Sequence, residues 1–471
     1  MTQSNPSIKF QKATLLYSQN VLEWLAEPHV QEFWDNSPEH SRDILIFMKG
    51  RSEPSPYWNG MFDYWIGTID DEPYCLLMTS EALPDQSDLS DLWKTHLSKT
   101  GRTFSIDFMI GNRKFLGKGL GGPTLQAFTR FIQENVDPSI DTFLIDPAES
   151  NPRAKHVYEQ GGFTTVATFY RDCGEEKNVN HFLMVKHMPE QKFIEIDGFK
   201  FQAHIEGQGP TTLVIGSALY YPRSFSKELC AQFRMVFVDW RGFAEQEKHH
   251  KQPASFDTLL DDIETIRNAL QIKSCILIGH SAHALLALEY AKKYPHAVSH
   301  LVMIGASPNL GQAMHEAASR NWEESVWPER KEANAKRVHD LPDEELGKLP
   351  PPERFVAWYV RRDPQAWYDF NFDSSKLWEG ILPNMPLFDY LYGVALRDLD
   401  ITKGLEAFNK PVFLALGRYD FIVAPPNSWD PFREKFKDFT CRVFERSGHS
   451  PQHEEVHNFN KELIAWFKTH Q

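Results

Sequence analysis

Residues 20–34, "NVLEWLAEPHVQEFW", place apolar side chains at helical spacing. The next apolar stretch, "YWIGTIDDEPYCLLMTSE", predicts strand, turn, strand. "TFSIDFMIG" predicts a further strand, "PTLQAFTRFIQENV" a helix, and "TFLIDP" a strand. "PRAKHVYEQ" then predicts a helix stopped by Gly161-Gly162. "LMVKH" closes this series. A short polar break containing Pro189 follows, and "FIEIDGFKFQAHIEGQG" alternates apolar and polar around Asp197-Gly198, a hairpin signature that opens a new sheet. From there the apolar runs "TTLVIGS", "MVFVDW", "CILIGHS", "LVMIGAS", "PVFLALG" and "CRVFERS" are separated by helical segments, which predicts a parallel sheet buried on both faces. Residues 308–405, rich in Trp, Tyr, Pro and charge, break that rhythm and predict a helical cap. The pattern gives two domains, 1–190 and 191–471.

A chain of 471 residues with 41% apolar positions can bury a core in each. Its net charge of −14 argues against a general nucleic-acid binder and suits cationic small substrates. The five cysteines are scattered and lack metal-ligand spacing, which fits reduced thiols in a cytoplasm and no metal site. The polar start "MTQSNPSIKFQ" has no apolar signal core, and no run approaches the ~20 apolar residues of a membrane span. The expectation is a cytoplasmic protein with small-molecule partners and an open oligomeric state.

"FLGKGLGG" puts Gly117, Gly119, Gly121 and Gly122, with Lys118 and Leu120 between them, at the start of a helix. Bare backbone and unpaired helix N-terminal amides suit an anion, and a diphosphate is the natural guest. A Walker loop would need a hydroxyl after Gly-Lys, and a dinucleotide fingerprint should open the first βαβ unit; neither holds. The stretch resembles the coenzyme A pyrophosphate loop of the GNAT superfamily of N-acetyltransferases, with Leu116 where Arg or Gln is usual. Downstream, "IDPAESNPRAKHVYEQGGF" sets Asn151 and Tyr158 seven residues, or two turns, apart. This resembles the GNAT segment in which an Asn holds the pantetheine arm and a Tyr protonates the leaving thiolate.

The same segments resemble the aminoglycoside 6'-N-acetyltransferases and the lysine and hydroxylysine acyltransferases of siderophore synthesis. That resemblance implies acetyl-CoA as co-substrate and backbone binding of it by Met109 and Ile110. It implies acidic residues at Asp107 and Asp146 that hold a cationic amine and accept its proton. Trp34 and the loop acids Asp85 and Asp88 are candidate substrate contacts.

"ILIGHSAHALLALEY" is a buried strand, a sharp turn with Ser281 at its apex, and a helix. It resembles the nucleophile elbow of the α/β-hydrolases, with His283 in place of the second glycine. Asp420 in "GRYD" and His449 in "SGHS" follow in the family order Ser, Asp, His, which implies a catalytic triad. Ser217 and Ala282 are the implied oxyanion donors, although Ile215-Gly216 replaces the usual His-Gly. His453 and His457 are expected to face solvent, and Glu323 and Glu324 are either an amine subsite or a surface pair.

The fold class expected is therefore α/β: a GNAT acetyltransferase domain with a mixed sheet, followed by an α/β-hydrolase domain with a helical cap. The expected function is an acetyl-CoA-dependent N-acetyltransferase fused to a serine hydrolase of an ester or small amide. The alternative is a lysine or siderophore acyltransferase fused to a non-catalytic hydrolase-like binding module.

Overall fold

A computed structural model describes residues 7–52, 54–87, 89–99, 101–171, 179–247, 255–324 and 327–470. The chain divides into two compact units, Met1–Met188 and Pro189–Gln471.

The first unit is built on a seven-stranded sheet in the order β1-β2-β3-β4-β5-β7-β6. The strands are β1 (Ile8–Lys12), β2 (Asp63–Ile69), β3 (Glu72–Glu81), β4 (Arg102–Ile110), β5 (Ile140–Ile145), β6 (Thr164–Arg171) and β7 (Val179–His187). β2 and β3 join through Asp70 and Asp71, both at positive φ, a turn whose twist matches a tight hairpin. The neighbouring pairs are antiparallel except β4 and β5, which run parallel. Their pairing ends at Ser105 and Leu144, while β4 continues to Ile110, so the two strands diverge into a notch. Helices Gly121–Phe131 and Pro152–Gln160 cover one sheet face through Phe128, Leu125, Phe143, Ile106 and Tyr158. The opposite face packs Tyr64, Met78 and Met109 against Val21, Trp24 and Ile44 of the N-terminal helices.

The helical pattern of residues 20–34 resolves into two helices, Ser18–Leu25 and Pro28–Gln31. Pro28 lacks an N–H and cannot continue the first helix, but it fits the first turn of the second.

The second unit carries β8 (Glu190–Ile196), β9 (Phe199–Glu206), β10 (Thr211–Gly216), β11 (Arg234–Asp239), β12 (Glu245–Gln246), β13 (Cys275–His280), β14 (Val298–Ile304), β15 (Val412–Gly417) and β16 (Phe439–Phe444). Their order is β12-β9-β11-β10-β13-β14-β15-β16, with β8 paired to β9. From β11 to β16 every neighbouring pair is parallel. β13 is buried at all six positions, which is why it reads as an unbroken apolar run. Asp197 and Gly198, both at positive φ, turn β8 into β9. Between β14 and β15 the chain leaves the sheet for a series of helices from Gln312–Glu323 to Met385–Tyr390, the helical cap.

Candidate active sites

The carboxyl end of β13 delivers Ser281 at φ 58 and ψ −132, a strained conformation at the mouth of the following helix, Ala282–Lys293. Its N–H donates to the Ile304 carbonyl at 2.8 Å, which ties the turn to β14. Gly279 makes the turn possible: a Cβ there would lie 2.3 Å from the His283 carbonyl. Ser281 itself keeps part of its surface accessible.

His283, the departure from the usual glycine, leaves the elbow intact because its ring turns into a buried aromatic nest. Trp240, Phe243 and Tyr221 surround it at 5.6–6.5 Å between centroids. It occupies space beside Gly216, where a Cβ would meet the Tyr221 ring at 2.3 Å and His283 Nδ1 at 3.2 Å. Burial lowers the His283 pKa to about 4 and also holds that of His280 well below the usual imidazole value, so both rings are neutral near pH 7. A neutral His280 donates from Nε2 to the His449 carbonyl at 2.9 Å and accepts from the Tyr221 hydroxyl at 3.3 Å. The elbow and the His449 turn are thus joined through the His280 side chain.

Asp420 and His449, both buried, meet at 2.7 Å between Oδ2 and Nδ1. The other Asp420 oxygen accepts the Ile422 N–H at 3.1 Å. With Nδ1–H committed to the carboxylate, the Nε2 lone pair is the basic site. Gly305, at φ 55, lets β14 pass close by; a Cβ there would stand 2.6 Å from the His449 carbonyl.

Two neighbouring carboxylates fold back on the His449 turn. Glu454 accepts the N–H groups of Gly448 at 2.8 Å, Ser450 at 3.3 Å and, from the cap, Tyr368 at 2.6 Å. Glu455 accepts from Arg446 N–H and the Ser447 hydroxyl, each at 2.8 Å. Burial pushes the Glu454 carboxyl up to about 8. Neither acid is distinguishable in sequence from surface charge; the run "HEE" after "SGHS" is the sole signal.

Around the expected oxyanion donors, Ser217 Oγ accepts the N–H groups of Leu219 and Tyr220, and Ala218 N–H donates to Asp239 at 2.8 Å. Those bonds fix the loop after β10. Ala282 opens the elbow helix, where N–H groups have no partner within the helix. Ser217 also lines a cleft of about 370 Å³ with Leu219, Asp239, Phe243, Ile381 and Leu382.

The cap aromatics mostly pack on their own unit. Trp327 stacks on Tyr419 at 5.0 Å, Trp322 meets Phe421 at 5.4 Å, and Trp367 is buried. His453 does not face solvent as expected: it is wedged against Trp367 and Phe372 at 5.5 and 5.6 Å, whereas His457 is exposed. Glu323 pairs with Lys331 at 3.3 Å and Glu324 is exposed, which is a surface arrangement.

In the first unit the glycine loop splits into two roles. Gly117 and Gly119 adopt φ 69 and 68, and a Cβ on either would meet nothing within 4 Å. They give the loop its shape and an open face. Gly121 and Gly122 instead let two helices touch: a Cβ would lie 2.6 Å from Val157 or from Gln160. Leu120 is the N-cap of the helix Gly121–Phe131, and Lys118 Nζ stands over the Phe115 ring at 5.7 Å.

Backbone direction along β4 is set by its bonds. Gly111 N–H donates to Tyr74 and the Thr103 carbonyl accepts from Ala82, so odd-numbered residues face β3. Arg102 N–H donates to Ser139 on the other side, and the Ile110 carbonyl accepts from His29 Nε2 at 2.9 Å. Even-numbered residues therefore face the notch. Ile110 has the orientation expected of it; Met109 does not, because its N–H belongs to the β3 ladder, and Phe108 is the neighbour whose backbone faces the notch. Period two is legible in the sequence, but its phase depends on the pairing with β3.

Ser105 pairs with Leu144, so Asp107 and Asp146, two residues beyond each, continue on one common face across the notch. Asp146 accepts from Arg171 at 2.6 Å and lies 3.6 Å from His181 Nδ1. Tyr158 is buried on the opposite face, and Asn151 Oδ1 caps its helix by accepting from Ala154 N–H at 3.1 Å. Trp34 stacks on His40 at 5.8 Å and packs with the N-terminal helices, a structural position. Asp85 is exposed, Trp93 packs beside Leu144 and Val185, and Asp88 lies outside the described residues.

A strained serine ahead of a helix, with His449 and Asp420 carried by later turns of a parallel sheet, defines the α/β-hydrolase class. A notched mixed sheet with a glycine loop defines the GNAT class. The chain belongs to the alpha/beta hydrolase fold family, whose profile matches residues 214–456, and its first unit is a GNAT acetyltransferase domain, matched over residues 18–170. The AB hydrolase superfamily protein YclE of Bacillus subtilis is 35% identical over 271 residues, 57% of this chain and 96% of that protein. Proline iminopeptidase PfmaB of Pestalotiopsis fici is 26% identical over 58% of this chain and 96% of its own. The crystal structure of an aminoglycoside N(6')acetyltransferase from Legionella pneumophila aligns at 23% identity and TM-score 0.31, over 40% of this chain and 95% of that one. Among the described residues, no helix is long and apolar enough to cross a membrane.

Proposed function

We propose a bifunctional enzyme. Its first unit transfers an acetyl group from acetyl-CoA to a cationic small-molecule amine of the aminoglycoside kind, and its second hydrolyses an ester or small amide through Ser281. The partners on this reading are small molecules of the cytoplasm, neither nucleic acid nor membrane, in keeping with the acidic chain and its scattered cysteines.

The observation that carries the hydrolase half is the 2.7 Å bond from His449 Nδ1 to Asp420 beside a serine held at φ 58. His449 Nε2 takes the Ser281 proton as Oγ attacks the carbonyl carbon, and Asp420 stabilises the imidazolium that forms. The proton then passes to the departing alcohol or amine, and water releases the acyl group by the same relay. The N–H groups of Ala282 and Ser217 are the donors to the oxyanion.

For the transferase half, the residues present fit coenzyme A. The open faces of Gly117 and Gly119 and the unpaired N–H groups at the head of the next helix suit a diphosphate, with Lys118 beside them. Phe108 and Ile110 offer backbone to the pantetheine arm, and Asn151 Nδ2 is the donor left to it. Acetyl-CoA supplies an activated thioester. Asp107 and Asp146 hold the cationic acceptor, and a carboxylate on that face takes the amine proton. Tyr158 Oη gives a proton to the leaving thiolate.

A fluorophosphonate probe on the full chain tests the hydrolase half: modification of Ser281 supports it, and no labelling of folded protein makes this unit a binding module. Thiol release with kanamycin-like amines, lysine derivatives and polyamines tests the transferase half. Turnover of the lysine derivatives alone would favour the siderophore-type alternative. Tyr158→Phe should depress kcat strongly at nearly unchanged KM for acetyl-CoA; equal turnover removes Tyr158 from the mechanism.

A further inference from the structure

We propose that Arg362 is an anion-recognising subsite above the serine elbow, so that the hydrolase unit selects substrates bearing a carboxylate. The inference rests on the serine-hydrolase reading and names its substrate class.

Arg362 caps the helix Pro351–Arg361 and lays its guanidinium 4.4 Å from the centre of the Trp358 ring. Its Nε donates to Gln365 Oε1 at 2.9 Å. Three other cap arginines turn their Nη groups to acceptors within the fold. Arg330 donates to the carbonyls of Pro364, Trp367 and Tyr368; Arg337 to Asp363, Val360 and Phe372; Arg361 to Leu341, with Asp343 at 2.7 Å. Among the described residues, no carboxylate stands in ion-pair range of Arg362 and neither Nη has an acceptor. The acid that bears on it is Asp420, which is already committed to His449.

The position is next to the triad. Gln365, its partner, accepts the Phe421 N–H at 2.9 Å, and Ala366 accepts the His449 N–H at 2.5 Å. One turn before Arg362, Tyr359 pairs its hydroxyl with Tyr392, and burial raises both hydroxyls. Tyr359, Tyr392 and Arg362 each keep intermediate accessibility and are not sealed in packing. Trp378 links this wall to Tyr220 on the loop after β10, at 5.5 Å from Tyr359 and 4.9 Å from Tyr220.

A guanidinium partly out of water without a counter-ion is costly, and a carboxylate in the substrate supplies what the protein omits. Its planar fork donates to the two oxygens of a carboxylate together. Phosphate shares this chemistry, and the size of the test anion separates the two.

The test compares mono-nitrophenyl glutarate with nitrophenyl valerate, a neutral ester of similar length, on the full-length protein and on Arg362→Met and Arg362→Lys. Wild type should prefer the carboxylate ester. Arg362→Met should lower its kcat/KM by about 30-fold or more, chiefly through KM, with the neutral ester changed under about 3-fold and Lys restoring part of the loss. Equal loss on both esters, or no preference in wild type, overturns the proposal. Calorimetry of glutarate on Ser281→Ala reads the subsite without catalysis: binding lost in the Ser281→Ala/Arg362→Met double variant supports it. No glutarate heat, or heat with inorganic phosphate alone, refutes it. Failed Ser281 labelling would fault the hydrolase reading instead.

Discussion

Replacing Glu454 separates the turn that carries His449 from the cap. In Glu454→Ala, the N–H groups of Tyr368, Gly448 and Ser450 lose their shared acceptor. An orphaned buried donor costs about 1–3 kcal/mol, and the 3.3 Å bond to Ser450 is worth least, so the two short bonds set a loss of roughly 2–6 kcal/mol. The midpoint of the hydrolase-unit transition in urea should fall accordingly, and ester turnover should fall with it because Gly448 and Ser450 flank the catalytic base. The pH dependence has a defined sign. The carboxyl rises from an ordinary 4.5 to about 8, so folding takes up a proton between those values. This contribution is present in full below pH 4.5 and is lost as pH climbs through about 8. The stability gap between wild type and Glu454→Gln, whose amide does not titrate, should therefore narrow from pH 5 to pH 8. A Glu454→Ala loss below about 1 kcal/mol with unchanged turnover, or a gap that widens with pH, refutes the assignment.

Asp420→Asn should turn the amide Nδ2–H toward His449 Nδ1, force the proton onto Nε2 and remove the base. Ester kcat should drop roughly 10³–10⁴-fold, and a loss under 10-fold excludes Asp420 from the triad. In the first unit, Gly119→Ala meets open space and should raise KM for acetyl-CoA while costing about 1–2 kcal/mol in backbone strain at φ 68. Gly122→Ala drives a methyl to 2.6 Å from Gln160 and should destabilise by about 1–3 kcal/mol, read by thermal melting. Equal effects of the two on KM would contradict the separate roles given to these glycines.

The two units, and the strands and helices on long apolar runs, were legible because buried parallel strands must be apolar throughout and hairpins must turn on residues that tolerate positive φ; β1, β6 and the helix Pro38–Met48 were not read. Ser281, Asp420 and His449 were legible because each sits where a strand ends in a turn that its neighbours spell out. What sequence could not supply is phase and partnership. Four glycines in one octet look alike until the helix Pro152–Gln160 closes on two of them. Whether Met109 or Phe108 turns its backbone to the notch rests on a one-residue choice of ladder that Tyr74 settles from a distant strand. Pro28 did carry its message, a fresh helix start inside an otherwise periodic run. Glu454 and Arg362 are different in kind, since nothing beside them in the chain marks them. One acid gains its meaning by accepting N–H groups from both the His449 turn and the cap, Arg362 by having no carboxylate of the described residues in ion-pair range, and both facts arise when residues 362–368 fold down on the loops of Asp420 and His449. The serine turn is therefore written locally, whereas the contacts that brace the His449 turn come from the cap, where pattern reading sees only charged and aromatic residues between helices.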